Sequence, residues 1–117
     1  MSTKSEIGIE GERLAAKLLE NKDYHIVARN YRYKRSEVDL IAKKGGVLVF
    51  TEVKTRTTVG FGNPEEMVST NQIKKIIEGA ENFIYDCDWK GDIRFDIVSI
   101  QLSKGGPQIE HFVDAFH

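Results

Sequence analysis

Two adjacent glycines, Gly45-Gly46, stand between two runs of strand-forming residues and constrain this chain more than any other feature. Paired glycines supply the positive φ values that a two-residue hairpin turn requires. Lys44 then faces Val47, and opposed residues along the ladder have numbers that sum to 91, so that Asp39 faces Glu52 and Glu37 faces Lys54. A four-residue loop with the same centre gives the same register, whereas a three-residue loop would turn Asp39 away. Directly opposed residues share a face with Cβ atoms about 4.5–5.5 Å apart, and two like charges so placed destabilise a sheet. The hairpin therefore predicts a carboxylate pair in want of a cation.

The second arm of the hairpin, Val47-Leu48-Val49-Phe50-Thr51-Glu52-Val53-Lys54, is apolar on both faces until its far end, as a central strand covered on both sides must be. On the acids' face, Ile41 with Phe50 and Lys43 with Leu48 extend into mostly apolar packing. Val38, Leu40, Ala42, Val49 and Val53 are expected on the other. Residues 25–34 read as a preceding strand, 36–43 as the first arm, and 93–102 and 108–113 as two later strands. Thr3-Lys4-Ser5-Glu6 and Ser69-Thr70-Asn71-Gln72 both match capping boxes and are followed by apolar residues at helical spacing, predicting a helix over about 4–21 and another from 70. Gly8 and Gly11 each weaken the first helix by about 1 kcal/mol relative to Ala, which points to a backbone or ligand approaching there. Residues 55–68 read as a loop, with a turn of helix after Pro64. The order of elements predicts an α+β fold, a mixed central β-sheet flanked by helices, in one domain over residues 1–117.

No run of about 20 apolar residues exists to span a membrane, and the N-terminal residues lack the apolar core of a signal peptide. The lone Cys87 cannot form an internal disulfide, so a reducing cytoplasm is the expected location. A formal net charge of −1 gives no global attraction to nucleic acid, but from Arg29 to Arg56 eight bases stand against three acids. That excess is either a binding surface or a solvated polar face.

An acid, any residue and a lysine occur in that order three times. Glu20-Asn21-Lys22 ends a helix and Asp88-Trp89-Lys90 falls in a turn. Only Glu52-Val53-Lys54 lies on a strand, where residues two apart share a face. A salt bridge from Lys54 to Glu37 is the competing reading for the lysine. Hard carboxylate oxygens suit Mg²⁺ or Mn²⁺ rather than zinc, no histidine has ligand spacing, and no organic cofactor is expected. Two acids and a lysine around such a cation suit hydrolysis of a phosphodiester, with Lys54 as base, as orienter of water or as electrostatic stabiliser.

Gly11-Glu12, Arg29-Asn30, Ser36 to Ala42, Val49 to Arg56, Phe61-Gly62 with Pro64, and Arg94-Phe95-Asp96 together resemble the YraN family of bacterial proteins, itself similar to Holliday-junction resolvases of the PD-(D/E)xK nuclease superfamily. Ser36 replaces the family's usual Gly, and Thr51 a usual apolar residue. The resemblance implies a restriction-endonuclease-like α/β core with Glu12, Asp39, Glu52 and Lys54 at a catalytic site, acting on DNA, branched DNA included. By analogy it also implies a homodimer. Arg29, Asn30, Arg32, Arg35 and Arg56, with Lys34 beside them, would hold DNA. Lys74 and Lys75 at the start of the second helix would add a phosphate contact. Tyr31 and Tyr33 either stack on an unpaired base or pack within the protein. The alternative to a DNA nuclease is a non-catalytic module on the same fold that binds nucleic acid or recruits a partner; an RNA nuclease is a third reading.

Overall fold

The computed structural model describes residues 4–57 and 68–117. The Thr3 end of the first capping box, Phe61-Gly62 and the helical turn expected after Pro64 lie outside them. Helix α1 (Lys4–Asn21) leads into three antiparallel strands, β1 (His25–Tyr33), β2 (Ser36–Lys44) and β3 (Val47–Arg56). Helix α2 (Thr70–Cys87) precedes β4 (Asp92–Gln101) and β5 (Gln108–Phe112). The strands form one mixed sheet in the order β1-β2-β3-β4-β5, in which only β3 and β4 run parallel. The fold is thus α+β, consistent with a restriction-endonuclease-like core, and no helix among the described residues is long and apolar enough to cross a membrane.

The sheet has a helix on each face, which is why β3 is apolar on both. Against α1, Ala15, Ala16 and Leu19 pack on Leu40, Ala42, Val49, Val53, Val98 and Ile100. Against α2, Ile76 and Ala80 pack on Val38, Ile41, Leu48, Phe50, Phe95 and Ile97. An aromatic series runs through this second layer from Tyr31 to Phe83, Phe50, Phe95 and Phe116, with successive ring centroids 5.2–6.2 Å apart. Val38 lies here with Ile41 and not, as alternation from Leu40 predicts, in the α1 layer. The alternation of β2 breaks between them, at Asp39.

The hairpin forms as expected. Gly45 and Gly46 have φ of +56° and +80°, and the pairs run from Lys44 with Val47 to Leu40 with Thr51. The two helical glycines differ. A Cβ on Gly11 would stand 1.7 Å from Thr55 Oγ1 and 2.8 Å from its Cβ, so α1 can rest on β3 only through a glycine. A Cβ on Gly8 would meet nothing within 4 Å among the described residues, so no described backbone approaches there; Gly8 instead lines an open cleft.

Midway along β4, opposite Thr51, Asp96 is fully buried and receives Arg94 Nε and Nη2 at 2.8 and 2.9 Å, His111 Nε2 at 2.7 Å and the Asp114 N–H at 3.0 Å. His111 Nδ1 lies 3.1 Å from Lys22 Nζ, which fixes the ring with its Nε2–H on Asp96. Arg94 also donates to the Tyr24 hydroxyl at 2.7 Å. Arg94, Asp96 and His111 thus join α1, β4 and β5 as structural groups.

Candidate functional site

The β2–β3 ladder ends one pair before the two acids. Beyond Leu40 and Thr51 no further pair forms; instead Asp39 Oδ2 accepts the Val53 N–H at 2.8 Å. The carboxylate takes the place of a strand carbonyl, and the strands part around it. On its other side, β1–β2 pairing passes from Arg29 and Leu40 to Tyr31 and Val38 over Asn30, which has φ of +50°. Asn is among the few residues that tolerate this left-handed conformation. The expected ladder opposition of Asp39 and Glu52 is therefore corrected to a side-chain contact at a splayed rim.

Glu52 remains next to Asp39 and is 7% exposed. Its Oε1 accepts Gln72 Nε2 at 3.0 Å, and Gln72 Oε1 accepts Lys54 Nζ at 3.2 Å. Lys54 Nζ stands 3.7 Å from Glu52 Oε1. Glu37, the partner of Lys54 in the competing reading, pairs instead with Arg32 at 3.6 Å, because the ladder stops before it can bring 37 opposite 54.

Burial, then the Asp39 charge, pushes the Glu52 carboxyl up to about 8, against the pull of Lys54. Burial likewise raises Asp39, tempered by the Val53 N–H. Partial burial and then the field of Asp39 raise Glu12, while a hydrogen bond from Asn30 lowers it. Glu12 thus feels Asp39, Asp39 and Glu52 feel each other, and without a cation the buried pair holds a proton well above the ordinary carboxylate range. Among the described residues no three acidic, His or Cys side chains converge on a single point, so Glu12 stands outside the immediate Asp39–Glu52 pair. The pair itself, two buried hard-oxygen donors that retain a proton, fits a small divalent cation.

Among the described residues, three clefts are each lined by one or more of these acids. One, of about 330 Å³, is lined by Asp39, Glu52, Arg35, Lys75 and the first turn of α2, including Ser69, Asn71 and Gln72. A second, of about 450 Å³ on the α1 side, is lined by Glu12, Lys54, Arg56 and Gly8. A third, of about 250 Å³, brings Arg29 and Asn30 to Glu12 and Arg13. Arg35 and Lys75 thus share a cleft with Asp39 and Glu52, whereas Arg56, Arg29 and Asn30 share theirs with Glu12. Arg32 is engaged with Glu37, and the exposed Lys74 lines none of these clefts.

Lys43 and Lys44, at the hairpin end, lie over the rings of Trp89 and Tyr24. Tyr31 packs edge-on against Phe83 and its hydroxyl accepts from Asn82 at 2.6 Å, so its ring serves the core. Lys34 Nζ lies 5.2 Å from the centroid of Tyr33.

Gln72 is the site residue that sequence reasoning missed. Its backbone N–H donates to Ser69 Oγ at 3.2 Å, as a capping box requires. Its side chain, which in a complete box would turn back to the cap, reaches across to β3.

The family described as "Uncharacterised protein family UPF0102" matches residues 11–100. A UPF0102 protein of Christiangramia forsetii is 42% identical over 116 residues, covering 99% of this chain and 98% of that one. UPF0102 protein FP2501 of Flavobacterium psychrophilum is 34% identical over 117 residues, covering 100% and 98%. A UPF0102 protein of Anaeromyxobacter dehalogenans is 38% identical over 120 residues, covering 97% and 85%.

Proposed function

This chain belongs to the UPF0102 family, and we propose that it is a divalent-metal-dependent endonuclease that hydrolyses DNA phosphodiesters, branched DNA included. The observation that carries the reading is the buried Asp39–Glu52 pair with Lys54 beside it. Two adjacent carboxylates, one held up to about 8, are costly to keep at a sheet rim unless a cation occupies the gap. Asp39 and Glu52 would hold Mg²⁺ or Mn²⁺, which when bound supplies Lewis-acid chemistry to a phosphodiester. The resemblance to PD-(D/E)xK resolvases supports the same roles.

The chain's own groups do the rest. Lys54, fixed by Gln72, presents an ammonium to the charge that develops as water adds to phosphorus and the P–O bond to the leaving group breaks. Arg35 and Lys75, with the amides of the first α2 turn, receive a phosphate on one side of the acids. Arg56, Arg29 and Asn30 receive the backbone on the α1 side. Glu12 biases the electrostatics from there. The homodimer follows only from the analogy with resolvases.

One observation favours a non-catalytic binding module: a net charge of −1 provides little long-range attraction for a polyanion. Titration of Mg²⁺ and Mn²⁺ into the wild type and an Asp39→Ala/Glu52→Ala variant, followed by incubation with labelled linear, single-stranded, flapped and four-way DNA, separates the readings. The nuclease predicts binding and cleavage that vanish together in the variant. The module predicts salt-dependent DNA affinity and no cleavage. A wild type that binds neither metal removes the nuclease reading.

A further inference from the structure

A cation site of the kind proposed above needs Glu52 available as a ligand while Lys54 stays near the same phosphate, yet opposite charges this close tend to collapse on one another. Here they stop at a long ion pair: Lys54 Nζ stands 3.7 Å from Glu52 Oε1, although Glu52 is 7% exposed. The Gln72 amide lies between them, donating to the carboxylate at 3.0 Å and accepting from the ammonium at 3.2 Å. Only this orientation of the amide works. Turned over, it would set its NH₂ against an ammonium and its carbonyl against a carboxylate.

The spacer is anchored from behind. Gln72 sits in the first turn of α2, where its N–H is held by Ser69 Oγ at 3.2 Å and the helix packs on the sheet through Ile76. Ser99, paired with Lys54 across β3–β4, does not share this role: its buried hydroxyl has no partner among the described residues. We propose that Gln72 is a positioning residue of the cation site, which holds the Lys54 ammonium off the Glu52 carboxylate and so leaves Glu52 free to ligate. This rests on the reading of Asp39 and Glu52 as cation ligands. Without the amide, Lys54 closes on Glu52 as a direct ion pair that competes with the cation.

The test is Mn²⁺ affinity, measured by calorimetry on the full chain, for the wild type, Gln72→Met, Lys54→Met and the double variant, with thermal unfolding as a control for folding. Gln72→Met keeps the volume and removes both hydrogen bonds; it should weaken Mn²⁺ binding about tenfold, but by less than about twofold when Lys54 is already Met. An equal loss in both backgrounds would mean that Gln72 merely holds α2 in place, and would overturn the proposal. So would wild-type affinity in Gln72→Met. If that variant fails to fold, the same cycle with Gln72→Ala decides. A wild type that binds no Mn²⁺ removes the cation site itself and this inference with it, whereas a wild type that binds Mn²⁺, with an equal loss or no loss in the Gln72 variants, removes the role of Gln72 alone.

Discussion

The Asp39 carboxylate holds the Val53 amide at 2.8 Å, and so a side chain, not a strand carbonyl, closes the β2–β3 pairing. The same group carries a charge beside Glu52 and an acceptor for the backbone, and substitutions separate these duties. Asp39→Asn keeps an oxygen for the Val53 N–H and removes the charge. In cation-free protein at pH 8 it should stabilise the fold by on the order of 1 kcal/mol while abolishing Mg²⁺ binding. Asp39→Ala loses the acceptor too and should be less stable than Asp39→Asn by about 1–3 kcal/mol. Urea unfolding of both variants in chelator checks the order.

Stability should also follow pH in a direction set by the acid pair. Glu52 has a folded pKa of about 8, above its ordinary value, and Asp39 is raised with it, so the folded state binds more protons than the unfolded chain between those limits. The stability this provides is fully present below the ordinary carboxylate range and is lost as the pH rises to about 8. The loss is on the order of 5 kcal/mol. Asp96 acts in a different window: burial raises its carboxyl, but His111, Arg94 and the Asp114 N–H outweigh that and hold it below the usual range, so its contribution disappears only in stronger acid. Excess Mg²⁺ should restore stability at pH 8 and do little at pH 5. Thermal unfolding from pH 5 to 8.5 in chelator and in Mg²⁺ measures both effects; equal Mg²⁺ stabilisation at the two ends would contradict them.

Gly8 and Gly11 should respond to the same substitution with opposite signs. Gly11→Ala drives a methyl into Thr55, whose Cβ as well as Oγ1 is too close for rotation to relieve, so α1 must lift from β3. A cost of about 1–3 kcal/mol is expected, together with displacement of Glu12. Gly8→Ala meets open space among the described residues and should stabilise α1 by up to about 1 kcal/mol. Chemical denaturation of the pair reads the difference directly.

Thr51 is wholly buried and its hydroxyl has no partner among the described residues. Thr51→Val removes the unsatisfied oxygen at nearly constant volume and should raise stability by about 1 kcal/mol without altering cation affinity, since Thr51 lies on the sheet face away from Glu52. A fall in the unfolding midpoint would show that the hydroxyl is satisfied in solution.

Much of this architecture was legible because it rests on local chemistry. Gly45-Gly46 specify a tight turn, the turn specifies register, and register brings Asp39 towards Glu52. Ser69 caps α2, and periodicity carries it to Cys87. What escaped the sequence depends on groups far apart in it. That the ladder would stop at Leu40 and Thr51 follows from Asp39 competing for the Val53 amide, and this inversion of β2 also moved Val38 to the α2 layer and freed Lys54 from Glu37. Gln72 read as a cap partner because its neighbours in sequence offered that role. Its bonds to Glu52 and Lys54 exist only once α2 lies against the sheet.

The parallel pairing of β3 with β4 carries a final consequence. Parallel neighbours cannot be joined by a short turn, so the chain must leave β3, lay α2 across the sheet and return before β4 can pair. Glu52 and Lys54 lie on the departing strand and Gln72 on the helix that covers the gap. Such long-range closure comes late when a chain folds. Until that closure the hairpin's two carboxylates stand without the Gln72 bridge that ties Glu52 to Lys54, so the finished arrangement is conditional on the finished fold.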